Sequence, residues 1–285
     1  MILWIMLKIS FFRKLNYTMK PEDNYLVLNK KAWNDKTAFH TASDFYDMPG
    51  FMAGKQTLQN IEMELMGNVS GKKVLHLQCH FGQDTISFAR LRAEATGVDF
   101  SEAAIQKARE INTALKLQAT FICSDVYSLP EVLNEKFDVV FTSYGTIGWL
   151  PDLDEWAAVV SHFLKPGGVF VFADFHPVLW MFDNDFTAIT YRYFKDKAII
   201  ETETGTYADT SAPISNQTVC WNHSISEILN SLLKNNLEIK AFNEYDYSPY
   251  NCFNGTAEDQ PGKFRIANLG NKIPMVYSIK AIKKI

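Results

Sequence analysis

Two carboxylates stand directly after apolar runs of this sequence, and their positions suit the recognition of an adenosine. Asp99 lies 17 residues after Gly82, close to the spacing at which an acidic residue accepts hydrogen bonds from ribose hydroxyls. Phe100 follows it and offers an aromatic face to an adenine ring. Asp125 is followed by Val126, so that a carboxylate and a backbone amide are available to the edge of the base.

A polar turn joins the first apolar run to the helical segment that follows it. The turn contains His76, Gln78 and His80 and closes at Gly82. Because glycine lacks a side chain, the backbone at Gly82 can approach a bound ligand closely. His76 and His80 have no third metal ligand near them in the sequence, so the pattern predicts no metal site.

Each of these residues also has an ordinary structural explanation. Asp99 can cap the following helix together with Ser101. Gly82, Phe100 and Val126 can serve only as turn and packing residues. The order of the segments along the chain favours ligand binding over these alternatives but does not exclude them.

The elements that position these residues alternate between short apolar runs and helical segments. Apolar runs occupy 73–77, 95–98, 119–122, 137–142 and 169–173, and helical spacing or caps mark 102–115, 153–164 and 224–235. Further strand-like runs follow at 237–242 and 276–281. This alternation predicts an α/β fold with parallel strands and crossover helices. Ligands bind outside the carboxyl ends of such strands, which is where the polar residues stand.

We expect one domain over residues 19–285, since no repeat or low-complexity linker interrupts the chain. It divides into an N-terminal cap (19–71), a cofactor-binding core (72–176), an insertion that serves as a substrate lid (177–222), and a C-terminal helix with strands (223–285). Residues 1–18 are expected to be a disordered or spurious extension, because Met19 opens a more ordinary start.

The composition excludes several classes of binding partner. The 285 residues carry a net charge of −4 and 47% hydrophobic residues, which indicates a globular protein without the positive field that gathers nucleic acid or anionic lipid. The four cysteines form no Cys-x-x-Cys pair, and the apolar start is far shorter than the roughly 20 residues of a membrane span. We therefore expect a cytoplasmic protein that binds neither nucleic acid nor membranes.

Five segments together resemble the class I S-adenosylmethionine-dependent methyltransferases. They are VLHLQCHFG, GVDFS, CSDV, FDVVFTSYG and LKPGGVFVFADFHP, in the family's order over 74–177. The stretches HLQCHFG and FHPVLW also resemble an uncharacterised subgroup of these enzymes. The family's usual first turn reads acid-x-Gly-x-Gly-x-Gly, whereas His76, Gln78 and His80 replace three of its four defining residues here.

The resemblance implies a fold, a cofactor and roles for matched positions. The fold is a Rossmann-like, seven-stranded, mostly parallel sheet with helices on both faces and an antiparallel last strand. The cofactor is S-adenosylmethionine, with Asp99 on the ribose and Asp125 and Val126 on the adenine. The remaining cofactor-binding candidates are Phe100, His76, Gln78, Gly82, Ser143 and Tyr144, the last two near the methyl group.

Substrate-side candidates follow later strands at the same edge of the sheet. His176 is the candidate general base for a nucleophile that must lose a proton. The residues expected to contact the methyl acceptor are Tyr46, Asp174, Trp180, Tyr245 and Tyr247. Their ordinary alternative is that they only shape loops.

The function expected is methyl transfer from S-adenosylmethionine to a small molecule. A second reading is a non-catalytic S-adenosylmethionine-binding protein, because the first turn lacks most of its glycines. A third is an NAD-dependent oxidoreductase, for which Asp99 is suitable but the Gly-x-Gly-x-x-Gly turn is absent. The sequence leaves the acceptor and the oligomeric state open.

Overall fold

The computed structural model describes residues 20–285. The extension expected at 1–18 lies outside the described residues. The helices are α1 (Tyr25–Ala42), α2 (Met48–Met52), α3 (Asn60–Met66), α4 (Gln83–Arg90), α5 (Glu102–Ala114), α6 (Leu129–Val132), α7 (Leu153–Phe163) and α8 (Ile225–Lys234). The strands are β1 (Lys73–Leu77), β2 (Glu94–Asp99), β3 (Thr120–Cys123), β4 (Phe137–Ser143), β5 (Leu164–Phe175), β6 (Ile199–Thr204), β7 (Ser215–Cys220), β8 (Leu237–Tyr245), β9 (Thr256–Gln260), β10 (Lys263–Ile266) and β11 (Val276–Lys283).

Seven of the strands form one sheet in the order β3-β2-β1-β4-β5-β11-β8. The first five pair in parallel, and β11 runs antiparallel to both of its neighbours. The strand order reverses between β1 and β4, so a crevice opens there at the carboxyl ends of the strands. The predicted Rossmann-like sheet with an antiparallel last strand is confirmed.

Alternate residues of the central strands pack on opposite faces of the sheet, as the two-residue period of a strand requires. Leu75 and Phe172 belong to the core beneath α7 and α8, which is centred on the fully buried Trp156. Val74 and Phe141 belong to the core on the other face, together with Phe88 of α4. Helices therefore cover both faces and hold the strand ends in fixed positions.

The strand β5 begins five residues before the start that the sequence predicts. Phe137 pairs with Leu164 and Val139 with Val169, so residues 165–168, which contain the Lys-Pro-Gly-Gly turn, bulge out of the ladder between two paired positions. The turn chemistry was recognised correctly, but it interrupts the strand rather than preceding it.

A hairpin of β6 and β7 lies against α1, although the two segments are far apart in the sequence. The Asn29 side chain donates to the Val219 carbonyl at 2.7 Å and accepts from the Val219 amide at 2.9 Å. The buried Lys36 forms an ion pair with Glu203 at 2.9 Å. A second hairpin pairs β9 with β10. No helix within residues 20–285 has the length and apolar character needed to cross a membrane.

Candidate active site

The turn after β1 adopts left-handed backbone at alternate residues. Gln78, His80 and Gly82 have φ angles of 55°, 50° and 79°. A side chain at Gly82 would place its Cβ 2.5 Å from Phe121, so glycine is required there for space as well as conformation. The two other positions carry non-glycine residues at a cost of about 1–3 kcal/mol each. Such strain persists only where the surroundings fix it.

The side chains of this turn are held by neighbouring elements, yet each leaves a polar atom without a partner. The Gln78 amide nitrogen donates to the Thr146 carbonyl at 2.9 Å, and His80 Nε2 lies 2.9 Å from His40 Nδ1 of α1. The buried atoms Gln78 Oε1 and His80 Nδ1 have no protein partner. Both residues line the central cavity through other atoms, because these two atoms themselves have almost no accessible surface.

His76 lies beneath the turn at the start of the cavity wall. Its Nδ1 is 3.0 Å from the Thr85 hydroxyl, and its ring packs on Phe141. Burial lowers the pKa of His76 to about 3, so the ring is neutral. In the family's first turn an acidic residue takes this position, whereas here a neutral ring fills it.

Asp99 connects the turn to α5. One carboxylate oxygen accepts from the His80 amide at 2.8 Å and the other from the Ser101 amide at 2.9 Å. Burial raises the pKa of Asp99 to about 6, although these backbone donors oppose the shift. A carboxylate has about four acceptor positions, so two remain for hydroxyl groups of a ligand. Phe100 lies beside it on the cavity wall.

The end of β3 contributes Asp125 and Val126 to the same wall. One oxygen of Asp125 accepts from the amides of Tyr127 and Ser128, at 3.0 and 3.1 Å. These two bonds fix the carboxylate at the start of α6 and orient it. Val126 is buried in the core beneath.

The end of β4 contributes Ser143 and Tyr144. Tyr144 has a φ of 43°, its amide donates to the Ala173 carbonyl at 2.8 Å, and its hydroxyl lies 3.1 Å from a carboxylate oxygen of Glu62. Glu62 is fully buried at the start of α3, and burial raises its pKa to about 8. Glu62 was not predicted as a site residue, and its only sequence signal is the capping box that it forms with Gln59.

Asp174, at the end of β5, also lines the cavity. Its carboxylate accepts from the backbone amides of Gly145 and Thr146, and from Phe175 at 2.7 Å. Burial raises its pKa, and the backbone amides partly offset that rise. Asp174 therefore fixes the loop after β4, on which Tyr144 is carried.

His176 does not line the cavity. Its Nδ1 accepts from the Val178 amide at 3.2 Å, so Nε2 carries the proton and donates to Glu244 at 3.0 Å. Burial lowers the pKa of His176, an effect that Glu244 opposes. Because both ring nitrogens are engaged within the chain, this geometry offers no free base at His176.

The remaining substrate-side candidates divide into two groups. Tyr46 and Trp180 line the cavity, Tyr46 in hydrogen-bond contact with the hydroxyl of Tyr207. Tyr245 and Tyr247 lie outside its lining: the Tyr245 hydroxyl is 3.3 Å from Ser278, and the Tyr247 ring packs beneath Lys263. Tyr46 and Trp180 therefore lie at the site, whereas Tyr245 and Tyr247 lie outside the cavity lining.

The cavity has a volume of about 1200 Å³ and is walled largely by aromatic rings. Sequence reasoning missed Trp33, Lys36 and Trp149, although their elements flank the site. The Lys36 ammonium lies over both indole rings, 5.4 and 5.9 Å from their centres. Within residues 20–285, no group of three potential ligands is arranged for a metal ion.

The chain resembles known methyltransferases in sequence and in structure. It is 34% identical over 133 residues to an uncharacterized methyltransferase of Synechocystis, a match that covers 46% of this chain and 60% of that protein. It is 28% identical over 110 residues to a ubiquinone biosynthesis O-methyltransferase of Alkalilimnicola ehrlichii, covering 39% and 44% of the two chains. The matched region therefore spans less than two thirds of either relative.

A solved structure has a similar fold. The putative S-adenosylmethionine-dependent methyltransferase of Listeria monocytogenes superposes with a TM-score of 0.54 at 19% identity, over 78% of this chain and 95% of that one. The family model described as a methyltransferase domain matches residues 68–243, which is more than half of the sequence. The chain thus belongs to the methyltransferase-domain family, and the predicted class I methyltransferase fold is confirmed.

Proposed function

We propose that this protein transfers the methyl group of S-adenosylmethionine to a small-molecule acceptor that binds in the same cavity. The observation that carries the proposal is the convergence of Asp99, Asp125 and Tyr144, from the ends of three strands, on one cavity of about 1200 Å³. Single-ligand pockets usually measure about 300–1,000 Å³. This cavity is therefore large enough for the cofactor and an acceptor side by side.

The residues present fit the cofactor. Asp99 offers acceptors to the ribose hydroxyls, Asp125 and Val126 border the adenine, and Phe100 provides an aromatic face. Gln78 and His80, on the turn after β1, border the same cavity. When bound, S-adenosylmethionine supplies a methyl carbon that its sulfonium makes electrophilic.

The chain itself aligns the cofactor with the acceptor, excludes water from the site and transfers one proton. Aromatic residues, α1 and the hairpin enclose part of the cavity, while the loops after β1 and β4 lie side by side on one wall, joined by the Gln78–Thr146 hydrogen bond. In place of His176, Tyr144 and Glu62 form the polar pair beside the end of β4. Glu62, whose pKa is raised to about 8, accepts a proton relayed by the Tyr144 hydroxyl only in its ionised form, so a step that needs this base should speed up as the pH rises towards 8.

A small, partly apolar acceptor fits this site better than a polymer. Trp180, Tyr46 and Tyr207 lie on its outer wall, and the chain has a net charge of −4. We propose that the segments 19–71 and 177–222 act as cap and lid within one domain, because residues of both line the cavity. The HLQCHFG motif supports placing the chain in the uncharacterised subgroup that shares it.

The acceptor can be sought with deuterated-methyl S-adenosylmethionine and a small-molecule extract. Mass spectrometry then identifies compounds that gain the label with the wild type but not with Asp99→Ala. We expect one compound, or a few related ones, to be labelled. Equal labelling of compounds by the wild type and by Asp99→Ala would oppose catalytic transfer in this cavity. If the wild type binds the cofactor but labels no compound in extracts of varied origin, the result would favour a non-catalytic binding protein.

A further inference from the structure

The lining of the cavity carries much more negative than positive charge. It includes eight carboxylates and two lysines. Both lysines are already in ion pairs, Lys36 with Glu203 at 2.9 Å and Lys55 with Asp47 at 2.8 Å. Within the described part of the chain, none of the other six carboxylates has a lysine or arginine partner. A space with this balance attracts cations and disfavours anions, most strongly where water is partly excluded.

Five aromatic rings border the cavity as one aromatic cluster, formed by Phe45, Tyr46, Tyr144, Tyr207 and Tyr250. The ring centroids of Tyr144 and Tyr250 are 5.0 Å apart, at an interplanar angle of 80°. Those of Phe45 and Tyr46 are also 5.0 Å apart, at an angle of 75°. Because these neighbouring rings are steeply inclined, the cluster presents ring faces in several directions. The face of an aromatic ring attracts a cation, and rings that surround one space bind ammonium groups.

Asp84, in the first turn of α4, borders the same cavity. One of its carboxylate oxygens accepts from the Thr57 hydroxyl at 2.5 Å. The other oxygen has no hydrogen bond within residues 20–285 and keeps accessible surface. Burial raises the pKa of Tyr144 and of Tyr250 well above the ordinary value, and the charge of Asp84 adds to both rises. The carboxylate of Asp84 therefore lies within electrostatic reach of the aromatic cluster.

We infer that the methyl acceptor is an amine, and that its ammonium group binds between Asp84 and the aromatic cluster. The carboxylate supplies a charged hydrogen-bond acceptor, and the ring faces stabilise the rest of the cation. An anionic acceptor lacks both contacts and is opposed by the surrounding carboxylates. This inference rests on the proposed function, because it names the acceptor of the same reaction.

Tyr144 and Glu62 supply the proton transfer that an amine requires. An ammonium nitrogen has no lone pair, so it must lose a proton before it can attack. The Tyr144 hydroxyl, 3.1 Å from a carboxylate oxygen of Glu62, passes its own proton to the ionised carboxylate and takes one from the ammonium. The nitrogen then forms a bond to the methyl carbon, while the carbon–sulfur bond breaks and its electron pair goes to sulfur. The products are a methylated ammonium ion, S-adenosylhomocysteine and the proton on Glu62.

The first test compares three probes of similar size that differ in charge. At neutral pH benzylamine is a cation, benzyl alcohol is neutral and benzoate is an anion. Each is titrated by calorimetry into the wild type saturated with S-adenosylhomocysteine. We expect benzylamine to bind at least about tenfold more tightly than benzyl alcohol, and benzoate to bind most weakly.

Asp84→Asn keeps the shape of the side chain and removes its charge. The affinity for benzylamine should fall by about tenfold, while the affinities for benzyl alcohol and for S-adenosylhomocysteine stay within about twofold. The matched control is Glu201→Gln, which removes the charge of another carboxylate of the lining, one that accepts from the Tyr191 hydroxyl. It should change the affinity for benzylamine by less than about twofold.

The aromatic cluster is tested with two variants at Tyr250. Tyr250→Phe keeps a ring and should preserve the ratio of the benzylamine affinity to the benzyl alcohol affinity. Tyr250→Leu should lower that ratio by about threefold or more. The ratio is the readout because loss of the ring also removes apolar packing that both probes share.

Labelling of natural acceptors gives an independent readout. When a small-molecule extract is treated with the wild type and deuterated-methyl S-adenosylmethionine, the labelled compounds should be retained by a cation exchanger at neutral pH. The inference is overturned if the labelled compounds are neutral or acidic, or if benzylamine binds no more tightly than benzyl alcohol. It is also overturned if Asp84→Asn weakens S-adenosylhomocysteine binding as much as benzylamine binding, since Asp84 then serves the cofactor. If the wild type does not bind S-adenosylhomocysteine, the proposed function itself fails.

Discussion

At the scale of single residues, backbone strain is concentrated around the cavity. Of the eight non-glycine residues with positive φ among those described, five line it: Asp47, Gln78, His80, Tyr144 and Phe186. Each such residue costs about 1–3 kcal/mol, which the surrounding hydrogen bonds and packing must offset. Two carboxyl groups near these residues, Asp99 with a pKa raised to about 6 and Glu62 with a pKa raised to about 8, can be tested through pH.

Affinity for S-adenosylhomocysteine should fall as the pH is lowered through about 6. The pKa of Asp99 is raised to about 6 by burial, and protonation removes an acceptor from the ribose hydroxyls. Calorimetry from pH 5 to 8 should show a plateau above pH 7 and a decline of up to about tenfold per unit below pH 6. Asp99→Asn, which cannot ionise, should bind more weakly and without this decline. A wild-type profile that stays flat to pH 5 would contradict the role of Asp99.

Stability should depend on pH through Glu62. Its pKa is raised from 4.5 to about 8, chiefly by burial, with Asp84 adding to the rise. The folded state therefore holds the proton more tightly than the unfolded state, and the free energy of unfolding decreases as pH rises from about 4.5 to about 8. Glu62→Gln keeps the helix cap and cannot ionise. In urea unfolding, the free energy of unfolding of the variant should rise relative to that of the wild type between pH 6 and pH 9.

The matched control for that experiment is Glu64→Gln on the same helix, for which no such gain is expected. If the difference between Glu62→Gln and the wild type is the same at pH 6 and pH 9, Glu62 is not the buried carboxyl described above.

Apart from Tyr46, the residues that the sequence identified at the site lie at strand ends or in the loops that follow them, since strand ends can be read from short apolar runs. Asp99 and Tyr144 are examples. His40, Lys36 and Glu62 could not be found in this way, because they lie on helices that precede the motifs and reach the site only through tertiary packing. His176 follows β5 as expected, but a contact with Glu244 of β8 engages it, and that contact cannot be read from local sequence.

At the scale of elements, β1 to β4 were predicted to within one residue at each end, whereas β5 begins five residues earlier than predicted and the hairpins were not predicted. β1 was predicted at its observed bounds and β4 to within one residue, because buried parallel strands are continuous apolar runs. β6 reads IIETET with alternate residues half-buried, and only its contact with α1 gives it a buried face. Such a strand has no strong signal in one sequence.

Asn29→Ala should loosen the hairpin from α1. The change leaves the buried Val219 amide and carbonyl without their side-chain partner, at about 1–3 kcal/mol each, so the free energy of unfolding should fall by about 2–6 kcal/mol. Hydrogen exchange should increase selectively over residues 199–220. The control is Lys30→Ala, which breaks a solvent-exposed ion pair between the same helix and Glu102 and should cost less than about 1 kcal/mol. Equal exchange in both variants would argue against a hairpin anchored by Asn29.

At the scale of the whole molecule, one sheet supplies the cofactor side of the cavity and elements outside it supply the other walls. The carboxyl ends of β1 to β5 carry the polar groups, while α1, the β6–β7 hairpin and the loop around Tyr250 complete the enclosure. Closing two ligands in one water-poor space favours direct transfer between them. The central claim is therefore that this cavity binds the methyl donor.

The most direct measurement is a calorimetric titration of the purified protein with S-adenosylmethionine, S-adenosylhomocysteine and NAD, repeated with Asp99→Ala. We predict that both adenosyl-sulfur ligands bind with dissociation constants on the order of micromolar, that NAD binds far more weakly, and that the variant loses most of the affinity. Tight binding of NAD alone, or no binding of the adenosyl-sulfur ligands by the wild type, would contradict the account.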